Sequence, residues 1–251
     1  MLKSATQKAL LLPSDLPRSA VAVLASGGLS SAVLLAQALD HFAAVYPIYG
    51  RFGLPWQEAE EQHLRRFLTA IRGPRLGRLK VLDLPVDDIY NEDGLISATL
   101  GPDSQGPHET LHVTGRDVLL VSKAAVWSAV NGIEVFATGP ISATDLCEKS
   151  RSFVEQLESC VSIGLGQRVT IIHPFAGLTV ADVLPLGRDL PLEFTFSCIR
   201  PVALDGAGAV HCGRCHKCID RRRAFLASNI TDRTKYAYQL PVEAAAVPAQ
   251  G

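Results

Sequence analysis

No stretch of this sequence approaches the ~18 uninterrupted apolar residues that a membrane-crossing helix needs. The only early apolar run, at residues 9–12, is cut off by Pro13, Ser14 and Asp15. It is too short for the core of an export signal, and no small-residue cleavage site follows. The expectation is a cytoplasmic chain in which residues 1–18 form an N-terminal extension. An excess of charge of either sign is also missing: 24 Lys and Arg stand against 25 Asp and Glu, a formal net charge of −1. No global field therefore recruits nucleic acid or an anionic membrane, which leaves only a local basic patch open. There is no internal repeat, no G-x-x-x-x-G-K-[ST] loop and no G-x-G-x-x-G fingerprint.

What is present is the pattern of an ordinary globular core, with 47% apolar and 20% charged residues in a chain of 251. Residues 20–25 (AVAVLA) are wholly apolar and read as a strand buried on both faces, as parallel strands are. Residues 29–39 have helical composition, and 42–48 and 79–84 read as strands. Between them, 57–71 places Leu64, Phe67, Leu68 and Ile71 at helical spacing among charges. Helices at 117–131, 150–165 and 180–187 then alternate with strands at 134–138 and 169–173. Such alternation implies an α/β fold with a doubly wound, mostly parallel sheet and right-handed crossovers. Residues 85–112 are polar and aperiodic, a loop long enough to be functional or mobile. The expected organisation is a nucleotide-binding α/β domain over 19–190, a zinc-binding C-terminal segment over 191–236, and a frayed Ala/Pro/Val-rich tail over 237–251.

Ser26-Gly27-Gly28-Leu29-Ser30-Ser31 lies between the first strand and the first helix. One reading is a tight turn with a serine helix cap. The other is a phosphate cradle, because the amides that open a helix have no intrahelical partner and attract anions. Two glycines let the main chain approach a phosphate, and Ser26, Ser30 and Ser31 add hydroxyls. The position after the first strand of a βαβ series favours the cradle.

Of the six cysteines, Cys198, Cys212, Cys215 and Cys218 fall within 21 residues. Four soft ligands suit a closed, tetrahedral, structural zinc, with an iron–sulfur cluster as the rival occupant. Lys217, Arg221, Arg222 and Arg223 can offset the negative charge of such a centre. His211 and His216 are read as neighbours of the metal or solvent residues rather than ligands. Cys147 and Cys160 stand apart as buried or incidental thiols.

Taken together these residues resemble a known family. Ser26 to Ser31 is similar to the Ser-Gly-Gly-x-Asp-Ser loop of the PP-loop ATP pyrophosphatases. Ser197-Cys198, then His211-Cys212-Gly213-x-Cys215-x2-Cys218 and Arg221-Arg222-Arg223-Ala224-Phe225, resemble the zinc end of 7-cyano-7-deazaguanine synthases. Gly115-Arg116-Asp117, Pro174-Phe175 with Thr179, Leu186-Gly187 and residues 192–198 are similar to other segments of that family, in order. The resemblance implies a ligase that adenylates 7-carboxy-7-deazaguanine with ATP and Mg2+, adds ammonia, and dehydrates the amide to a nitrile with further ATP. It implies nucleotide binding by residues 25–35 (Ala25, Ser26, Gly27, Gly28, Leu29, Ser30, Ser31, Ala32, Val33, Leu34 and Leu35). It also implies catalytic roles for Arg116 and for Ser30, a structural Zn2+ on the four cysteines, and a homodimer as in similar enzymes.

Departures accompany the likeness. Ser30 replaces the loop aspartate, Val180 replaces a lysine after the threonine, Asp117 replaces an asparagine, and residues 144–151 are shorter than the family's substrate loop. Two further readings follow: a nucleotide-binding paralogue with little or no turnover, and a related ligase acting on another carboxylate. Lys123 and Lys149 are candidates to compensate the lost charges. Asp87 and Asp88 are read as solvated, His173 as a hydrogen-bonded buried histidine, and Trp56 and Trp127 as core or groove aromatics. Residues 49–53 fall where an adenine pocket would, with Gly50 and Gly53 marking close backbone approach and Arg51 a phosphate contact.

Overall fold

The computed structural model describes residues 12–86, 88–89, 115–139, 147–204, 206 and 208–239, without the side chains of 147–151. Five strands, β1 (Ala20–Leu24), β2 (Ala44–Arg51), β3 (Lys80–Asp83), β4 (Val135–Ala137) and β5 (Thr170–Ile172), form one sheet in the order β3-β2-β1-β4-β5. Every pairing in it is parallel. The helices between the strands are α1 (Leu29–His41), α2 (Gln57–Ala70), α3 (Arg116–Val130) and α4 (Cys147–Leu165). This is the doubly wound α/β class expected from the alternation.

The side-chain period of two along a strand divides the core. Val21 and Val23 of β1 face a layer with Val33 and Leu34 of α1 and Leu64 and Phe67 of α2. Ala22, between them, faces the opposite layer with Val121 and Ala125 of α3 and Val154 of α4. Both faces of β1 are covered, which is why its sequence is an unbroken apolar run. Chain order reverses between β1 and β4, so the carboxyl ends of these two strands flank the crevice where ligands of such sheets gather. Among the described residues no helix is long and apolar enough to cross a membrane.

Some boundaries differ from the sequence reading for local reasons. Phe42 does not open β2; its N–H donates to Ala38 O and closes α1. The expected helix at 180–187 splits into α5 (Val180–Val183) and a 3-10 turn, Leu184–Gly187, because Pro185 has no N–H for an α-helical ladder. Thr179 caps α5 in a reciprocal box with Asp182. Residues 87, 90–114 and 140–146 lie outside the described residues, as do the expected roles of Asp87, Thr144 and Asp145.

Beyond the sheet, β6 (Val202–Leu204) and β7 (Gly208–Val210) form an antiparallel pair, followed by α6 (His216–Ala227). This C-terminal part packs on the sheet domain at two places. Ala59 of α2 contacts the cysteine cluster together with Phe196 and Ile199. Phe225 and Ala224 of α6 join Leu29, Leu184 and Leu192.

Candidate functional site

The glycine-rich loop leaves β1 at the reversal of strand order. Gly27 is buried with φ +81, and a Cβ there would lie 3.3 Å from Glu60 O and 3.4 Å from Glu60 Cγ. That backbone region favours glycine, and a Cβ there would also press on α2. Gly28 is half-buried and extended, and it precedes α1 as a cap without any side-chain hydrogen bond. The first amides of α1 thus have no side chain acting as their cap. Within the loop Ser31 Oγ donates to Gly28 O at 3.0 Å, and Ser26 Oγ lies 3.3 Å from Ser31 Oγ. Ser31 is therefore turned back into the loop, whereas Ser26 is exposed and Ser30 half-buried. Ala25 donates its N–H to Ile48 O, and Ala32, Val33, Leu34 and Leu35 are buried at 0–2% exposure. The side chains of these last four carry the helix on the core and are not disposed to meet a ligand.

Two groups from separate elements meet behind Gly27, within the field of a third. Tyr49 Oη, from β2, donates to Glu60 Oε2 at 2.7 Å. Burial pushes the Glu60 carboxyl up to about 7, against the opposing effects of the Tyr49 hydrogen bond and the positive charge of Arg116. Arg116 opens α3, with its Nε 3.6 Å from Asp117 Oδ1 and its side chain 39% exposed. Arg51, read from sequence as a phosphate contact, is instead committed to carboxylates: Glu61 at 2.6 Å and Asp83 at 3.1 Å. Gly50 marks a close approach, but of Leu120 in α3 rather than of a ligand, and Gly53 has nothing within 4 Å of an added Cβ. Lys123 Nζ donates to the carbonyl of Asp83, at the far edge of the sheet.

The four late cysteines do come together. Their sulfurs all lie within 4.8 Å of one another and all four residues are buried. The separations of 3.4 Å for Cys215–Cys218 and 3.9 Å for Cys198–Cys215 and Cys212–Cys218 suit a tetrahedral site, whose ~2.3 Å metal–sulfur bonds place sulfurs about 3.8 Å apart. The main chain is arranged for thiolates: the amides of Arg200 and Cys212 point to Cys198 Sγ, and those of Arg214 and Cys215 to Cys212 Sγ. The cluster can hold a metal ion. Without a cation the sulfurs cannot all ionise: a hydrogen bond from Cys198, then those from Cys215 and Cys218, holds Cys212 down. Contacts with Cys198, Cys212 and Cys215 push Cys218 up.

Of the basic residues expected to offset this centre, Arg221 is the buried one, at 2% exposure. Its Nε donates to Thr234 Oγ1 and its Nη2 to Leu192 O. Arg222 lies over the Tyr236 ring and Arg214 over that of Tyr238. His211 is fully buried; its Nε2 accepts the Ser197 N–H at 3.2 Å, and burial above all pulls its pKa to about 2. It is a neutral structural ring, packed at a tilt of 46° against Phe196. Cys160 is exposed, the incidental rather than the buried of its two readings, and Asp88 is exposed as expected. His173 is pulled down to about 4 by burial, and its buried Nε2 has no hydrogen-bond partner among the described residues, so the expected hydrogen bond is not seen there. Trp56 packs beside the cysteine cluster and Trp127 in the core layer of α3 and α4.

Gly213, inside the cysteine knuckle, has φ +82, and a Cβ there would collide with the Tyr238 carbonyl. Gly213→Ala is expected to cost roughly 2–4 kcal/mol, since strain and collision add. Thermal melting should show this as a fall of roughly 5–10 °C. An unchanged melting temperature would mean that residues 236–238 do not pack on the knuckle.

Two contributors escaped the sequence reading. Glu60 had a signal: with Leu64, Phe67 and Ile71 it sits at i, i+4, i+7 and i+11, a carboxylate on the apolar stripe of α2. The main chain of Phe196 had none. Its N–H donates to Gly27 O at 2.7 Å, joining the segment before Cys198 directly to the loop.

Fold and site define a class: doubly wound α/β proteins with a glycine-rich loop after β1 and a four-cysteine centre near the C-terminus. The family model described as Queuosine biosynthesis protein QueC matches residues 19–229. The chain belongs to this family. The 7-cyano-7-deazaguanine synthase of Methanocaldococcus jannaschii is 26% identical over 236 residues, which cover 86% of this chain and 98% of that protein. The enzyme of the same name from Azoarcus sp. is 28% identical over 236 residues, 89% of this chain and 98% of that one. A solved structure, the U34-tRNA thiolase NcsA from Methanococcus maripaludis with its 4Fe-4S cluster, aligns with TM-score 0.46 and 15% identity. It covers 74% of this chain and 62% of that chain, a likeness too slight to bear on function.

Proposed function

We propose that the protein is an ATP-dependent ligase that converts 7-carboxy-7-deazaguanine and ammonia to the nitrile through an adenylate, with Mg2+ as the nucleotide's counter-ion. The observation that carries this reading is the Ser26–Ser31 loop at the strand-order reversal of a chain in the QueC family. The amides of Gly28 to Ser31 would take the polyphosphate, and Ser26 and Ser30 would add hydroxyl contacts. Arg116 would steady the charge that develops as pyrophosphate leaves, a role its planar, always-charged fork suits. The part of this chain is to hold the α-phosphate against the carboxylate, a gain in proximity rather than in new chemistry. Zn2+ is the metal proposed for the cysteines, because sulfurs within 4.8 Å of one another enclose one ion, whereas a cluster carries its thiolates around its outside. The cytoplasm is the proposed location.

A second reading, a nucleotide-binding protein with little turnover, is favoured by two observations. The loop carries Ser30 and no carboxylate, and Val180 puts an exposed aliphatic side chain where the family has a charge. The metal-loaded protein is incubated with Mg-ATP, 7-carboxy-7-deazaguanine and an ammonium salt while AMP and pyrophosphate are followed. Release that depends on the deazapurine is the expected result. Binding without release supports the second reading, and release only with another acid moves the substrate. Ser30→Asp should raise a weak rate; no gain would mean that the site does not use a carboxylate there.

A further inference from the structure

The loop is backed by an acid that nothing in its own sequence announces. Glu60 lies against Gly27, through its own carbonyl and Cγ, while its Oε2 accepts the Tyr49 hydroxyl at 2.7 Å. Resting on the reading that the loop takes a polyphosphate, we propose that Glu60 is a positioning residue of that site, and that its carboxyl takes up a proton when the phosphates bind.

The charges around it support this. From β2, Tyr49 donates one neutral hydrogen bond, and Arg51 on the same strand is spent on Glu61 and Asp83. Among the described residues, Arg116 of α3 is the cation whose field reaches Glu60, and it is shared with Asp117. On α2 itself, Glu61 turns to Arg51 and Arg65, and His63 turns to Ala209 O. The loop from Ser26 to Ser31 has no titratable side chain. No cation therefore makes an ion pair with the Glu60 carboxylate among the described residues, and burial raises its carboxyl to about 7, so that both forms are populated near neutral pH. A polyphosphate over the Gly28 amide adds negative charge beside it and competes for Arg116. Both effects act against ionisation. As a neutral acid, Glu60 keeps its contact with the Tyr49 hydroxyl and supports Gly27 without repelling the ligand.

The test uses the full, metal-loaded chain and Mg-ATP in titration calorimetry, at pH 7.5 in buffers of different ionisation enthalpy and then across pH 6–8.5. Wild type should take up a fraction of a proton per ATP, and its affinity should fall roughly tenfold or more across that range, as a site competent only when protonated does. Glu60→Gln keeps the shape and a hydrogen-bonding oxygen but cannot ionise, so uptake should vanish and the profile flatten. Tyr49→Phe removes a bond to the charged form and should move the midpoint to higher pH. If Glu60→Gln does not fold, an unmoved midpoint in Tyr49→Phe overturns the proposal, as does an unaltered profile in a folded Glu60→Gln. ATP that binds wild type without proton uptake overturns it and leaves the nucleotide reading intact. No ATP binding by wild type at any pH sinks both.

Discussion

Cys215→Ala should leave the protein without its metal and with the region after residue 191 unfolded. Cys215 is 1% exposed, contributes one of four converging sulfurs, and precedes α6 as its cap. Structural zinc binding at neutral pH is worth ~10–16 kcal/mol in small zinc-bound domains, as large as or larger than the ~5–15 kcal/mol that separates a typical domain from its unfolded state. The three remaining thiols would keep at most a weak fraction of that energy, and Cys218, whose charge acts on the buried Arg221 guanidinium, would lose the cation that favours its thiolate form. The damage should also reach the sheet domain. Cys198 is two residues from Phe196, whose N–H holds the Gly27 carbonyl, and Ala59 of α2 packs on the same cluster. Metal content per chain, melting temperature and Mg-ATP affinity should fall together. A folded, metal-free Cys215→Ala protein with full ATP affinity would remove the metal from any structural role.

Arg116→Ala should lower turnover by roughly a hundredfold to a thousandfold, the usual consequence of removing one charged donor from a developing anion. Its effect on stability should be small. Arg116 is the first residue of α3, and its side chain is 39% exposed. Its ion pair with Asp117 is of the exposed kind that contributes little. The two effects are separable: melting should be unchanged while the deazapurine-dependent release of AMP collapses. Arg116→Lys should recover only part of the rate, because an ammonium presents a point charge where the guanidinium presents a fork. A change of less than about threefold in kcat/KM would show that Arg116 contacts neither phosphate nor carboxylate in the transition state.

The fold was legible because its signals are local. A buried parallel strand such as β1 has to be apolar on both faces, and an amphipathic helix such as α2 repeats its apolar residues every three or four positions. The cysteine knuckle was legible for a similar reason: three of its ligands fall within seven residues, so spacing alone brings them near. Arg51 shows the opposite case. A lone arginine at the end of β2 looks like a phosphate contact until the register of β2 with β3 sets it opposite Asp83, and α2 brings up Glu61.

The chain order of apolar runs, glycines and thiols by itself determined the layered α/β architecture, the loop after β1 and the sulfur quartet. Each of these needs only residue types repeated at short range. Tertiary structure alone decided that Glu60 stands behind Gly27 beside Tyr49 and within the field of Arg116, that Phe196 ties the cysteine-bearing segment to the loop, and that Arg221 is the buried guanidinium. These are meetings of residues 11 to 169 positions apart. Residues so distant leave no periodicity in the sequence, because only the closing of the sheet and the packing of helices on it bring them within reach.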